Sequence, residues 1–118
     1  IYLDAPVLNI HTWPRETSPN LWPVCMKVWG LTEETADSWV GPLAQLEKLA
    51  KADIPILLIA GGADEPVLFS KNGGVLAERY QALGGDLTLT VKAGCGHHPH
   101  SLYDPAPAVV WAKRVVQP

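Results

Sequence analysis

Three of the four histidines and one of the two cysteines of this 118-residue chain lie in the stretch AGCGHHPHS, residues 93–101. Imidazole and thiol groups this close together are typical of a metal site or of a general base, although they also occur in ordinary loops. The stretch follows DLTLTV, in which apolar residues alternate with threonine or aspartate, and this alternation predicts a strand. His97 therefore lies just beyond a predicted strand, where parallel sheets carry their catalytic and binding groups.

A carboxylate follows the preceding predicted strand in the same way. The run IPILLIAGG, residues 54–62, is continuously apolar and ends in two glycines, and Asp64 comes two residues later. Such a run predicts a strand buried on both faces of a parallel sheet. An acid and a histidine at successive strand ends can serve in a nucleophile, histidine and acid relay, in which the carboxylate orients the imidazole that takes the proton of the nucleophile. Glu65 and Asp53 are weaker candidates for the acid. Glu65 lies one residue beyond the position of Asp64, and Asp53 precedes the strand.

The remaining elements are predicted from periodicity and end signals. The order strand, long helical excursion, strand, helix, strand, helix predicts an α/β fold with a parallel sheet of about three strands and flanking helices. Residues 9–23, NIHTWPRETSPNLWP, are rich in proline and polar residues and predict a loop. The predicted strands are residues 1–7, 54–62 and 86–94, and the predicted helices are residues 31–39, 43–52, 73–85 and 104–116.

Two of the predicted helices carry start signals. Thr32 is a candidate N-cap, with Glu33 and Glu34 in the first turn, where negative charge meets the positive end of the helix dipole. Asp104 is a second candidate N-cap, with Pro105 at the first helical position. Both signals predict where a helix begins.

Composition limits the classes of partner. The chain has 9 Lys+Arg against 12 Asp+Glu, a formal net charge of -3 and no basic run, which argues against nucleic acid and against an acidic membrane surface. No window approaches the ~18 apolar residues of a membrane span. The first residue is Ile1, and no signal-peptide pattern follows it, so we expect a processed or truncated chain of unknown compartment. Two cysteines, Cys25 and Cys95, are too few for a disulfide framework and leave their pairing open.

The two strand-end motifs resemble those of the α/β-hydrolases, in particular the bacterial esterase, dienelactone-hydrolase-like and prolyl-oligopeptidase-like group. The G-x-x-D turn of that group is matched by residues 61–64, and its glycine-rich histidine turn is matched by residues 94–97. The chain order in the family is serine, then acid, then histidine. The resemblance therefore implies that Asp64 is the triad acid, that His97 is the general base, and that the reaction is hydrolysis of a small-molecule carboxylic ester without a cofactor.

The same resemblance implies a domain organisation. Residues 1–118 form a single partial domain, in which residues 1–7 are the strand after the nucleophile's helix and residues 8–50 are a lid-like helical insertion. Residues 51–118 hold the acid- and histidine-bearing strands and the C-terminal helix. The chain contains no G-x-S-x-G, and its four serines lack that setting, so the nucleophile and the oxyanion donors are expected before residue 1. We expect these 118 residues to be inactive alone, with an exposed sheet edge that self-association or a companion chain covers.

Further residues of these segments are candidates for the substrate opening. His98 and His100 follow the histidine turn, and Trp13 is the tryptophan of the insertion that we expect nearest to the substrate. His11 is read as a loop residue. Cys95 is an alternative nucleophile, but its place beside the base on one turn gives poor geometry for attack.

Two other classes of function remain open. The chain could be a non-catalytic remnant or interaction module with an α/β-hydrolase-derived fold. It could also be a metal-binding module that uses Cys95, His97, His98 and His100. Structural zinc sites normally draw ligands from two separated pairs, so this cluster favours adventitious binding over a dedicated site.

Overall fold

Strand β2, Ile56–Gly61, is the centre of the fold, because both of its faces are apolar and all six of its residues are buried. Ile56 and Leu58 belong to the core on one face, whereas Leu57 and Ile59 pack against Trp111 on the other. This computed structural model describes residues 1–116, so the last two residues of the predicted 51–118 segment lie outside the described part. The prediction of a strand covered on both faces is confirmed.

Two shorter or more exposed strands flank β2. Strand β1, Tyr2–Asp4, and strand β3, Leu87–Lys92, both pair with β2 in parallel, in the order β1-β2-β3. The coarse prediction is therefore confirmed: the fold is α/β, with a three-stranded parallel sheet and flanking helices. Leu89 and Val91 of β3 are 38% and 40% exposed, so this edge strand buries its apolar residues only in part.

Helices cover the two faces of the sheet. Helix α3, Leu46–Lys51, and helix α4, Gly73–Ala82, contribute to the core on the Ile56 face, where the Tyr80 side chain is fully buried. The Tyr80 hydroxyl donates to the Ile54 carbonyl, and burial raises the pKa of this phenol. Helix α5, Ala106–Val116, covers the opposite face through Trp111.

The predicted helix start at Thr32 is confirmed, whereas α5 begins at Ala106, one residue later than predicted. Helix α2, Glu33–Ala36, is capped by the Thr32 hydroxyl, which accepts from the Thr35 N–H, while the Thr35 hydroxyl accepts from the Thr32 N–H. Ahead of α5, the Asp104 carboxylate accepts a 2.9 Å hydrogen bond from the Ala106 N–H. These side chains satisfy N–H groups that the first turn leaves without helical partners.

The prediction of a loop over residues 9–23 is wrong. This segment forms an irregular helical turn at His11–Glu16 and a 3-10 turn at Pro19–Leu21, and then enters helix α1, Trp22–Trp29. Prolines suggested a loop, but two of them lie in first turns, where the missing N–H costs nothing because it would have no helical partner. Ile10, Trp22 and Ala36 form a second small core within residues 8–50.

In residues 1–116 no helix has the length and apolar character that a membrane span requires.

Candidate functional site

The loop after β2 carries Asp64 and lies unusually close to the loop after β3. A Cβ atom at Gly61 would be 2.1 Å from the Gly96 carbonyl oxygen and 2.6 Å from that of Cys95. Contacts this short with backbone atoms are impossible, so only glycine allows the two loops to approach at Gly61. Gly61, the first glycine of the GG pair, is therefore a requirement of the site as well as the end of β2.

Backbone hydrogen bonds join the same two loops. The Gly62 N–H donates to the Lys92 carbonyl at 2.9 Å, and the Ala63 N–H donates to the Cys95 carbonyl at 2.9 Å. Gly94 turns the chain with a φ of +70°, a conformation that favours glycine. The main chain thus fixes where the Asp64 and His97 side chains begin.

Asp64 and His97 meet across this junction. The His97 Nδ1 atom is 2.8 Å from Asp64 Oδ2, and the other carboxylate oxygen, Oδ1, accepts a 2.8 Å hydrogen bond from the Val67 N–H. The Asp64 side chain is 2% exposed and the His97 side chain is 24% exposed. The acid is therefore held in the protein, while part of the imidazole remains open to a reactant.

The hydrogen-bond partners assign the His97 tautomer. An ionised carboxylate only accepts hydrogen bonds, so the Nδ1 atom of His97 carries a proton and donates it to Asp64. When the imidazole is neutral, the remaining ring nitrogen, Nε2, is its basic atom. This is the arrangement in which a histidine accepts a proton from a nucleophile or binds a metal ion.

His98 and His100 lie against His97 but make no comparable contact with Asp64. The His97 ring centroid is 5.1 Å from that of His98 and 4.9 Å from that of His100, and all three rings meet edge to face. The His98 and His100 side chains are exposed. The structure therefore brings all three predicted histidines into one cluster and gives only His97 a hydrogen bond to the acid.

Two further contacts hold the histidine loop. The Lys92 ammonium donates to the Pro99 carbonyl, and the Tyr2 and Ser101 hydroxyls share a hydrogen bond of 2.8 Å. Asp4, at the end of β1, lies beside the cluster, with its Oδ1 atom 3.7 Å from His100 Nδ1. This oxygen is buried and has no hydrogen-bond partner within the described residues. The ends of all three strands therefore contribute side chains to the same region.

Trp13 lies in a different environment from the other predicted lining residues. It is half-buried and lines an apolar cavity of about 240 Å³ within the insertion. Neither Asp64 nor His97 is among the residues that surround this cavity, which are Val7, Ile10, Trp13, Cys25, Trp29, Trp39 and Pro42. Trp13 therefore lies among apolar residues of the insertion, whereas His98 and His100 lie beside His97.

The two cysteines are free. Cys25 lies in the insertion, where burial raises the pKa of its thiol. Cys95 lies in the histidine turn, but the group of side chains able to share a metal ion consists of His97, His98 and His100. Among the described residues, the four-ligand set that includes Cys95 therefore does not assemble.

Sequence reasoning missed a residue that joins the start of the insertion to helix α4. The Asn72 side chain, which is 1% exposed, accepts from the Leu8 and Asn9 N–H groups at 2.8 and 3.0 Å. Its amide nitrogen donates to the Thr12 hydroxyl and to the Leu68 carbonyl. All of these bonds satisfy a buried polar group. The position of Asn72 just before a predicted helix was the signal in the sequence. That signal indicates a helix cap and not a contact with residues far away in the chain.

A charged network organises the surface of the insertion. The Arg15 guanidinium lies over the Trp22 ring and donates to the Asp37 carboxylate at 2.7 Å. This hydrogen bond lowers the pKa of the Asp37 carboxyl and raises that of Arg15. A second carboxylate, Glu33, lies 3.5 Å from Arg15 and accepts from the Trp22 indole.

Comparison with known proteins identifies no relative: no protein-family model, no curated protein and no solved structure matches the chain.

Proposed function

We propose that this chain is the C-terminal part of a serine hydrolase that acts on carboxylic esters, with Asp64 as the acid and His97 as the general base. The observation that carries the proposal is the 2.8 Å hydrogen bond between His97 Nδ1 and the buried Asp64 Oδ2. The α/β-hydrolase assignment and the lid role of residues 8–50 belong to the same proposal. The parallel sheet, with the acid and the base at adjacent strand ends, supports it.

The geometry suits each proton transfer. His97 Nε2 takes the proton of a serine hydroxyl as that oxygen attacks the ester carbonyl, and the imidazolium then gives this proton to the leaving alcohol. Water attacks the resulting acyl-serine in the same way, releasing the acid and restoring the hydroxyl. Asp64 remains ionised throughout and stabilises the imidazolium. The serine comes from a G-x-S-x-G segment that the 118 residues do not contain.

The substrate class is supported by the insertion and by the composition, and not by residues that contact Asp64 or His97. The insertion carries an apolar cavity lined by three tryptophans, Trp13, Trp29 and Trp39, which suits an apolar acyl or aryl group. A small neutral ester also fits the composition, because no basic run is present to bind a polyanion.

The test is to treat the naturally produced protein with a fluorophosphonate and to measure its intact mass. We expect one adduct in the wild type, no adduct in His97→Ala, and unchanged labelling in the control variant His11→Ala. Asp64→Asn should label more slowly by a factor of about 10⁴, because the wrong imidazole tautomer is then favoured. A wild-type protein that gains no adduct is not a serine hydrolase.

A non-catalytic interaction module is the second candidate, and exposed apolar side chains on β3 and α5 favour it. These are Leu89 and Val91 on β3 and Val109 and Val110 on α5, which are between 38% and 66% exposed. An interaction module should show no labelling and should have a solution mass above the 12.8 kDa of the single chain. Labelling that depends on His97 would instead establish the hydrolase.

A further inference from the structure

The histidine cluster has the composition and proximity of a transition-metal site. His97, His98 and His100 each offer a ring nitrogen, and these three atoms lie within 4.8 Å of one another. Three imidazole nitrogens bound to one zinc ion are about 3.4 Å apart, given tetrahedral geometry and bonds of about 2.1 Å. Because the His98 and His100 rings are exposed, small rotations of these two side chains can close the difference.

Two of the three histidines have a carboxylate behind Nδ1. Asp64 Oδ2 lies 2.8 Å from His97 Nδ1, and Asp4 Oδ1 lies 3.7 Å from His100 Nδ1. In metal sites a carboxylate at one ring nitrogen fixes the tautomer and makes the other nitrogen a better ligand. The arrangement leaves Nε2 of both rings available to an ion.

The Asp4 carboxylate is an independent sign of an incomplete polar site. Its Oδ1 atom is buried and unpaired within the described residues, although an unsatisfied buried carboxylate oxygen is costly. The distance of 3.7 Å to His100 Nδ1 is too long for a hydrogen bond. If His100 turns towards a metal ion, its Nδ1–H can shorten this contact and satisfy Asp4.

We propose that His97, His98 and His100 bind one Zn²⁺ ion through three imidazole nitrogens, with Asp64 and Asp4 as the carboxylates that orient His97 and His100. Imidazole is a preferred zinc ligand, and three histidines leave a fourth position open to water. The site differs from the four-ligand set suggested by the sequence, because Cys95 takes no part in the cluster.

The test is calorimetric titration of Zn²⁺ into the naturally produced protein after treatment with a chelator. We expect one ion per chain, and we expect His98→Ala and His100→Ala each to lower the association constant at least tenfold. Both side chains are exposed, so these variants should fold, and circular dichroism checks that they do. His11→Ala is the matched control and should bind zinc as the wild type does. Absence of binding, or equal binding by all the variants, overturns the site.

The two carboxylates provide a sharper test of the geometry. Asp64→Asn and Asp4→Asn each keep the size of the side chain and remove its charge, and each should lower zinc affinity by about tenfold or more. The exposed Asp104→Asn variant, on the helix cap, should leave affinity unchanged. If Asp4→Asn binds zinc as tightly as the wild type, Asp4 does not orient His100 for the metal. The three-histidine site is then judged by the first titration alone.

One consequence rests on the proposed function. A zinc ion on His97 Nε2 occupies the atom that would take the serine proton, so zinc should suppress fluorophosphonate labelling and a chelator should restore it. The His98→Ala and His100→Ala variants should need at least tenfold more zinc for the same suppression. Labelling that zinc does not affect overturns this consequence, whereas failure to label without zinc overturns the hydrolase proposal and leaves the calorimetric result intact.

Discussion

The two dyad loops, residues 61–67 and 93–101, and the insertion, residues 8–50, are held in place by different kinds of interaction. The dyad loops are joined through their main chains, by backbone hydrogen bonds and by a contact that only Gly61 allows. The insertion is organised by side chains: a small core around Trp22, the Arg15 network and the buried amide of Asn72. The main-chain junction fixes the positions of the loop atoms closely, whereas the side-chain contacts hold the insertion through individual donors, acceptors and apolar groups.

This difference predicts which substitutions should destabilise each junction. A main-chain junction depends on backbone shape, so it fails when a Cβ is added and tolerates changes in exposed side chains. A side-chain junction depends on particular donors and acceptors, so it weakens by roughly the free energy of each bond removed. The four variants below separate the two cases.

The largest effect is expected for Gly61→Ala. Its Cβ would be 2.1 Å from the Gly96 carbonyl oxygen, so the dyad loops must separate, and we expect the free energy of unfolding to fall by at least about 3 kcal/mol. Gly96→Ala is the control in the same junction, because its Cβ would be 3.8 Å from the Ala63 carbonyl oxygen, an ordinary van der Waals contact. Urea unfolding measures the free energy of unfolding of both variants. If the two variants are equally stable, the main-chain junction is not what holds the dyad.

Asn72→Ala should have the next largest effect. It leaves the Leu8 N–H without its buried acceptor, and the expected loss is about 2 kcal/mol. Hydrogen exchange should quicken most at the Leu8 and Asn9 amides, with less change at the Ala63 amide in the dyad loops. The exposed Asn20→Ala variant is the control. Equal acceleration in both regions would mean that the insertion and the dyad loops unfold as one unit.

Thr17→Val probes a direct link between the two regions. The Thr17 hydroxyl donates to the Pro66 carbonyl, two residues beyond Asp64 in sequence, and valine keeps the shape without the donor. We expect a loss of about 1 kcal/mol in the free energy of unfolding. Thr17→Ser keeps the hydroxyl and should remain close to the wild type. A valine variant as stable as the serine variant would exclude an energetic role for this link.

The smallest effect is expected from Asp37→Asn, and it depends on pH. The hydrogen bond from Arg15 lowers the pKa of Asp37 in the folded protein, so the unfolded chain takes up this proton more readily. The stabilisation is complete above the usual carboxyl pKa of about 3.9 and is lost as the pH falls through the lowered value. Thermal unfolding from about pH 6 to about pH 2 should show the wild type and the variant converging in acid.

Salt supplies a control for the same variant. Because the Asp37 side chain is 76% exposed, added salt should screen the pair and reduce the difference between wild type and Asp37→Asn. The control for salt is Glu78→Gln on α4, because Glu78 is exposed and forms no ion pair within residues 1–116, so its difference in stability from the wild type should change little with salt. A difference that persists at low pH or in high salt would indicate that packing, and not charge, is responsible.

The sheet could be predicted from the sequence because its signals are local. The apolar run at residues 54–62 and the alternation at residues 86–94 identified β2 and β3, since burial on one or both faces imposes these patterns. The juxtaposition of Asp64 and His97 also followed, because adjacent parallel strands end at one edge.

The insertion could not be predicted to the same extent because its determinants are distant or ambiguous. Proline occurs in loops and also at the first positions of helices. Two of the prolines in residues 9–23 lie at such helix starts. The role of Asn72 depends on two N–H groups more than 60 positions earlier in the chain, and no local pattern encodes such a contact. The Asp4 oxygen that has no hydrogen-bond partner within residues 1–116 likewise depends on a distant contact, because β1 must lie beside the histidine loop.

The register of the sheet also implies an order of folding. Strands β2 and β3 pair across 31 positions, from Ile56 to Leu87, whereas β1 and β2 pair across 55 positions, from Tyr2 to Leu57. The longer closure costs less than about 0.6 kcal/mol more, but it must also arrange the insertion between the strands. We therefore expect β2, α4 and β3 to form the folding nucleus, so that β1, although synthesised first, docks last. Substitutions in β1 should then speed unfolding and leave the folding rate almost unchanged, which stopped-flow kinetics can measure.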